Sequence, residues 1–317
     1  MGANKRKSLC LTVTESVDSV PVTDKEQDDN AFYLSVIKDI ILWIEHNLDK
    51  SLQLDVVAER SGYTKWYFQR IFKRFTDMTL AGYIRRRRLT KAATELRLTT
   101  QNIGDIALKY QFDSQQSFAR RFKAVFNMTP TEYRRNPNWD LTTLQPPVQL
   151  EMPPLPQPDI IMLDDIAVME KGYHYQSPLD EIGHLHEEIR TTFWRDFIRL
   201  VSPELPHCYV RTAYDRTSDQ PECIAIGYHI GVDDPAFIVQ ENELTPAVIN
   251  RGKYAKFHFD GLFRDYRDFT FNVYLYALPQ LGLCRRPGLD IEKYTRTEAI
   301  SDNPPEHLCV DYYIPVL

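Results

Sequence analysis

Seven residues recur in register at an offset of 50: Phe68, Arg70, Phe72, Lys73, Met78, Thr79 and Tyr83 return as Phe118, Arg120, Phe122, Lys123, Met128, Thr129 and Tyr133. Residues of these types can read a nucleic acid. Arginine bonds bidentately to guanine, glutamine to adenine, an aromatic ring packs on a thymine methyl, and lysine neutralises a phosphate. On a helix over residues 64–76, Phe68, Ile71, Phe72 and Phe75 fall on one face and Trp66, Gln69, Arg70 and Lys73 on another. In the second copy Phe118, Phe122 and Val125 form the apolar side, with Gln115, Gln116, Arg120 and Lys123 opposite. A polar helix face is usually only solvated, but its repetition favours the reading role.

Each copy needs an element to hold it. Short apolar segments containing Ala58 and Ala107 precede the two copies, followed by the aromatic turn residues Tyr63 and Phe112. This is the layout of a helix-turn-helix, whose second helix enters the major groove. Upstream, Ile37, Ile40, Ile41, Ile44 and Leu48 recur at helical spacing, and a short helix ends at Gly62, where a tight turn favours a residue without a side chain. The joining segment, 81–98, carries Arg85, Arg86, Arg87 and Arg88. Alone, such a run is more often a solvated face; beside two candidate readers it is expected to clamp phosphate. About 18 helical residues span roughly 27 Å, which suits readers in successive major grooves about 34 Å apart, so one monomer suffices.

Charge is divided along the chain. The net charge is -6 overall, but residues 31–140 hold 19 Lys and Arg against 11 Asp and Glu, while residues 141–317 hold 15 against 27. Only the basic part suits a polyanion. Residues 1–30 are polar and acidic and are expected to be a disordered extension. Seven prolines between 137 and 158 predict an extended linker, separating a DNA-binding domain, 31–136, from a second domain, 159–317. In that second domain the segments 160–163, 223–230, 254–259 and 309–314 read as strands and 179–200 and 266–280 as helices. The expected fold is therefore multidomain: an all-α N-terminal domain, then an α+β C-terminal domain.

Several function classes are set aside. No apolar run approaches the roughly 18 residues of a membrane span, and the first ten residues do not form a signal peptide, so a cytoplasmic location is expected, with no membrane partner. Five cysteines are scattered with no Cys-x-x-Cys pair, which argues against zinc and disulfides. His184 and Glu188 share a helical face but lack a third metal ligand. No catalytic residue, metal or cofactor is expected, since no Walker loop, nucleophile elbow or dinucleotide motif is present.

The run from Ser61 and Gly62 through Tyr67, Phe68, Gln69, Arg70 and Lys73, with Gly82 and Tyr83, Phe112 to Phe118, and Pro130 to Arg135, closely resembles the AraC/XylS family, within it the MarA, SoxS and Rob subgroup. The C-terminal half, with Gly252 to Phe257, Asp260 to Leu262 and Asp290 to Tyr294, resembles the GyrI-like ligand-binding domain. The resemblance implies a monomeric transcription activator that recruits RNA polymerase to promoter DNA of stress and multidrug-resistance genes. It also implies base reading by Trp66, Gln69 and Arg70 and by Gln115, Gln116 and Arg120. Phosphate contacts are expected from Lys65, Lys73, Arg85, Arg86, Arg87, Lys123 and Arg134. Tyr67 stands where the subgroup usually has His, and Ala119 where it usually has Thr.

In the C-terminal half, Trp194, Tyr228, Phe257, Phe259, Tyr266 and Glu292 are candidate contacts for an amphipathic small-molecule effector, because alternation puts Phe257 and Phe259 on one face of a strand. Glu292 is equally compatible with a buried carboxylate and with a surface one. The alternative function is a GyrI-like hydrolase or ligand scavenger tethered to a DNA-binding module.

Overall fold

The computed structural model describes residues 24–151, 154–181, 186–217, 219–295 and 306–317. The first helix, α1 (Asp24–Glu45), begins inside the stretch expected to be an extension, and residues 1–23 lie outside the described residues. Its Ile37, Ile40, Ile41 and Ile44 are buried, as their spacing predicts.

Six more helices complete the N-terminal part: α2 (Leu54–Ser61), α3 (Lys65–Thr76), α4 (Leu80–Leu98), α5 (Ile103–Lys109), α6 (Gln115–Phe126) and α7 (Pro130–Arg135). They build two cores. Phe68, Ile71 and Phe72 pack with α1, α2 and the first turns of α4; Phe118 and Phe122 pack with Leu89, Ala93 and Leu96 of α4 and with α5. Helix α4 thus plays for the second unit the part that α1 plays for the first.

Local signals set the boundaries. Gly62, at φ 73, ends α2 in the left-handed region, and the Thr64 side chain accepts the Tyr67 N–H to start α3. The second unit repeats the device with Gln111 at φ 62 and with Ser114 accepting from Ser117. Asp77 and Asn127, 50 positions apart, close α3 and α6 in the same left-handed conformation.

The C-terminal part is an eight-stranded sheet in the order β2-β7-β10-β9-β4-β5-β3-β6. The strands are β2 (Asp159–Leu163), β3 (Ile166–Pro178), β4 (His207–Arg216), β5 (Cys223–Val232), β6 (Thr245–Ile249), β7 (Gly252–Leu262), β9 (Asp290–Thr295) and β10 (His307–Pro315). Two helices, α8 (Glu187–Ile198) and α9 (Phe263–Asn272), supply the rest of the core; α9 continues through a wider π turn to Gln280. Ile161 and Leu163 of one edge strand and Ala247 and Ile249 of the other belong to one cluster, so the sheet curls strongly.

Strands β3, β4, β6 and β9 lie outside the segments that read as strands in the sequence; along β3, polar Glu, Lys, His and Gln dilute the apolar signal. The helix expected over 179–200 is cut short: α8 starts at Glu187, after a 3-10 turn over Leu179–Glu181. His184 of the rejected metal cluster lies outside the described residues.

The stretch expected to be a linker is extended but not free. Its two-residue strand β1 (Trp139–Asp140) pairs with β8 (Cys284–Arg285). Leu141 is buried in the sheet domain, while Trp139 and Leu144 pack against both that core and the second helical core. Val148 and Leu150 pack against the first helical core. Prolines keep this segment from folding on itself, so its apolar side chains find cover in the two domains it touches. The contact is reinforced where Arg216 of β4 donates from Nε to the Arg97 carbonyl (3.0 Å) and from Nη2 to the Arg134 carbonyl (2.8 Å).

Candidate functional site

Helices α3 and α6 each bury a phenylalanine face and expose a polar one. Phe68, Phe72, Phe118 and Phe122 are fully buried, whereas Trp66, Gln69, Arg70, Gln115, Gln116 and Arg120 are all exposed. Among the described residues, Gln69, Gln116 and Arg120 make no hydrogen bond or ion pair, so their polar groups are open to an incoming partner. The Arg70 guanidinium lies 5.1 Å from the Trp66 ring centroid and 5.5 Å from that of Tyr67, a cation–π setting that limits its wandering. Tyr67 itself is turned toward α1, its hydroxyl donating to the Tyr33 hydroxyl at 2.7 Å. At Gly104 an added Cβ would meet the Gln115 Oε1 at 3.3 Å, so this glycine leaves room for the amide at the start of α6.

The candidate phosphate contacts separate into two groups. Lys65, Lys73, Arg85, Arg86 and Lys123 are exposed, and Lys65 pairs with Asp55 at 2.6 Å on the surface. Arg87 is not available to DNA. Its side chain is 4% exposed and grips Glu45 with Nε to Oε1 at 2.8 Å and Nη2 to Oε2 at 2.7 Å, while Nη1 donates to the Gln145 carbonyl. Burial opposes its charge, but Glu45 outweighs that and raises its pKa. Arg134 is also engaged internally: Nε donates to the Leu96 carbonyl at 3.2 Å and Nη2 to the Gln101 carbonyl at 2.6 Å, satisfying groups at the end of α4. Both phosphate assignments are therefore corrected, because helical periodicity turns one arginine of a run inward and because a helix C-terminus attracts cationic donors.

Sequence reasoning missed the carboxylates of this network, although the repeat contained them. Glu45 and Glu95 stand 50 positions apart. Glu45 accepts from the Tyr83 hydroxyl at 2.7 Å and Glu95 from the Tyr110 hydroxyl at 2.9 Å, with Lys109 as its cation.

In the second domain, strand register puts Phe257, Tyr312, Glu292, Val210 and Ile230 in one row on the sheet face that α8 and α9 cover. Glu292 is 6% exposed, which settles its placement as buried. Tyr266 of α9 donates to its Oε1 at 2.8 Å and Tyr294 to its Oε2 at 3.0 Å. Its pKa is raised, chiefly by burial, against the opposing influence of Arg190 and the two hydroxyls. Asp290, two residues earlier, takes the Tyr274 and Tyr312 hydroxyls and Arg285 at 2.6, 2.8 and 2.8 Å.

From α8, Trp194 Nε1 donates to the Tyr228 hydroxyl at 3.2 Å, and the Trp194 ring meets Tyr294 edge-on at 5.4 Å. Trp194, Tyr228, Tyr266 and Glu292 are thus brought together. Phe257 stands apart from that group: it is buried against Leu141, Val273 and Ala277, where the turn that extends α9 lies over it. Phe259 packs between Tyr266 and Phe269 at 5.1 and 5.0 Å.

Arg190, Tyr214, Tyr274 and Tyr294 keep part of their surface accessible, yet burial is the first influence on the ionisation of each. These half-buried groups, gathered around Glu292 and Asp290, mark the candidate ligand recess of this domain.

Two family models match the chain: a helix-turn-helix domain over residues 57–136 and an integron-associated effector binding protein over residues 159–316. The transcriptional regulator Rob of Salmonella typhimurium is 35% identical over 283 residues, covering 89% of this chain and 98% of that protein. The HTH-type transcriptional activator AarP of Providencia stuartii is 52% identical over 119 residues, 37% of this chain and 88% of its own length. Among solved structures, an AraC-type DNA-binding-domain regulator from Chromobacterium violaceum is 28% identical, with a TM-score of 0.31, over 33% of this chain and 94% of that one.

Proposed function

Because this chain belongs to the AraC-type family of transcription regulators that includes Rob, we propose that it activates promoters of stress and multidrug-resistance genes. It binds there as a monomer with α3 and α6 in successive major grooves and recruits RNA polymerase. The observation that carries the reading is the duplicated exposed set, Trp66, Gln69 and Arg70 on α3 and Gln115, Gln116 and Arg120 on α6, held on buried phenylalanine faces. Helix α4, which belongs to both cores, spans about 28 Å at 1.5 Å per residue and joins the two readers without a flexible link. Lys65, Lys73, Arg85, Arg86 and Lys123 neutralise phosphates. The recess of the second domain receives an amphipathic small molecule through Trp194, Tyr228, Tyr266 and Glu292, and the packed linker carries its effect to the helices.

Gel-shift titrations of matched and scrambled promoter sites test the division of labour. Arg70→Ala is expected to cost about 1–3 kcal/mol on the matched site and to loosen preference at one base pair. Arg86→Ala is expected to weaken both sites alike and to lower the salt slope by about 1. Equal loss on both sites for Arg70→Ala refutes base reading by that residue.

A further inference from the structure

The recess contains a cation of its own. The Arg190 guanidinium of α8 lies 4.7 Å from the Tyr228 ring centroid, over a ring face that suits a cation. Its Nε donates to the Tyr175 hydroxyl at 3.3 Å. Among the described residues no carboxylate comes within 4.0 Å of it, and neither terminal amine has a hydrogen-bond acceptor. The carboxylate of the recess is in the opposite condition. Both Glu292 oxygens are occupied by the hydroxyls of Tyr266 and Tyr294, and Asp290 is filled by Tyr274, Tyr312 and Arg285. The acidic groups are thus already answered by donors, while the terminal amines of half-buried Arg190 have no protein acceptor among the described residues.

We propose that Arg190 determines the charge specificity of this recess: it occupies the Tyr228 face in place of a ligand cation and offers its terminal amines to the acidic group of an amphipathic ligand. A hydrophobic monocation meets a like charge already seated on the ring, and two like charges brought together away from water repel strongly. A carboxylate or sulfonate attached to an apolar body pairs with the guanidinium and packs that body against Trp194 and Tyr294. The inference rests on the ligand-binding reading above.

Fluorescence titration of the full chain with two probes tests it: 11-(dansylamino)undecanoic acid as the amphipathic anion and rhodamine 6G as the hydrophobic cation. The wild-type protein is expected to prefer the anion. Arg190→Gln is expected to weaken the anion and strengthen the cation, each about tenfold or more, and Arg190→Lys to keep the wild-type order. Unchanged affinities in Arg190→Gln overturn the role of Arg190 while leaving the recess intact. If neither probe binds the wild type or any variant, the ligand-binding reading itself fails.

Discussion

Arg86 and Arg87 are neighbours with opposite surroundings, and their replacement separates the proposed phosphate contact from folding. Arg87→Ala leaves Glu45 buried without its cation, which costs about 3–5 kcal/mol for pairs of this kind. Denaturant unfolding should register that loss, whereas Arg86→Ala should leave the unfolding midpoint in place. Glu292 supplies a second prediction. Its pKa is raised in the folded chain, chiefly by burial, so the native state keeps this proton to higher pH than the unfolded state does. Stability from this group is fully present below the unfolded value, near the ordinary carboxylate range, and falls as pH rises through the folded one. Thermal unfolding of Glu292→Gln should therefore gain on wild type as pH rises above the ordinary carboxylate range. A gap that does not change with pH rules out the raised ionisation.

Helix ends make the repeat legible at the next scale. Thr79 and Thr129 both cap the helix that follows them, but only Thr129 forms a reciprocal capping box, with Glu132 returning a bond to its N–H. The corresponding position after Thr79 is Gly82, which cannot answer. Thr129→Ala is expected to destabilise the chain by about 1 kcal/mol, measured by urea unfolding. The same bonds hold the exposed Glu132 carboxyl below its usual range.

Across the whole molecule, the segment from Trp139 to Leu150 works as a seam rather than a tether. Trp139 packs on both cores, donates from Nε1 to the Tyr133 hydroxyl at 3.1 Å, and sits in the strand paired with β8. Its neighbour across that pair, Arg285, bonds Asp290 and the Tyr274 hydroxyl beside the recess. A continuous set of contacts therefore links the recess to α7. Calorimetry should record one cooperative transition for the wild type and two for Trp139→Ala, which removes packing from both sides at once. A single transition in the variant excludes Trp139 as the coupling residue.

The repeat, the charge division and the apolar spacing were enough to place both helix-turn-helix units and the exposed polar faces of α3 and α6, because local periodicity decides which face of a short helix is buried. Gly62 and the prolines likewise mark boundaries through their own backbone restrictions. Which arginine of a run faces inward depended on Glu45, 42 residues away. The surroundings of Glu292 depended on more distant partners still: β4 and β10 flank β9 in the sheet, Tyr266 of α9 reaches the carboxylate from above, and the turn beyond α9 covers Phe257. Packing between segments far apart in the chain sets the environment of a charge, and no spacing along one strand encodes it.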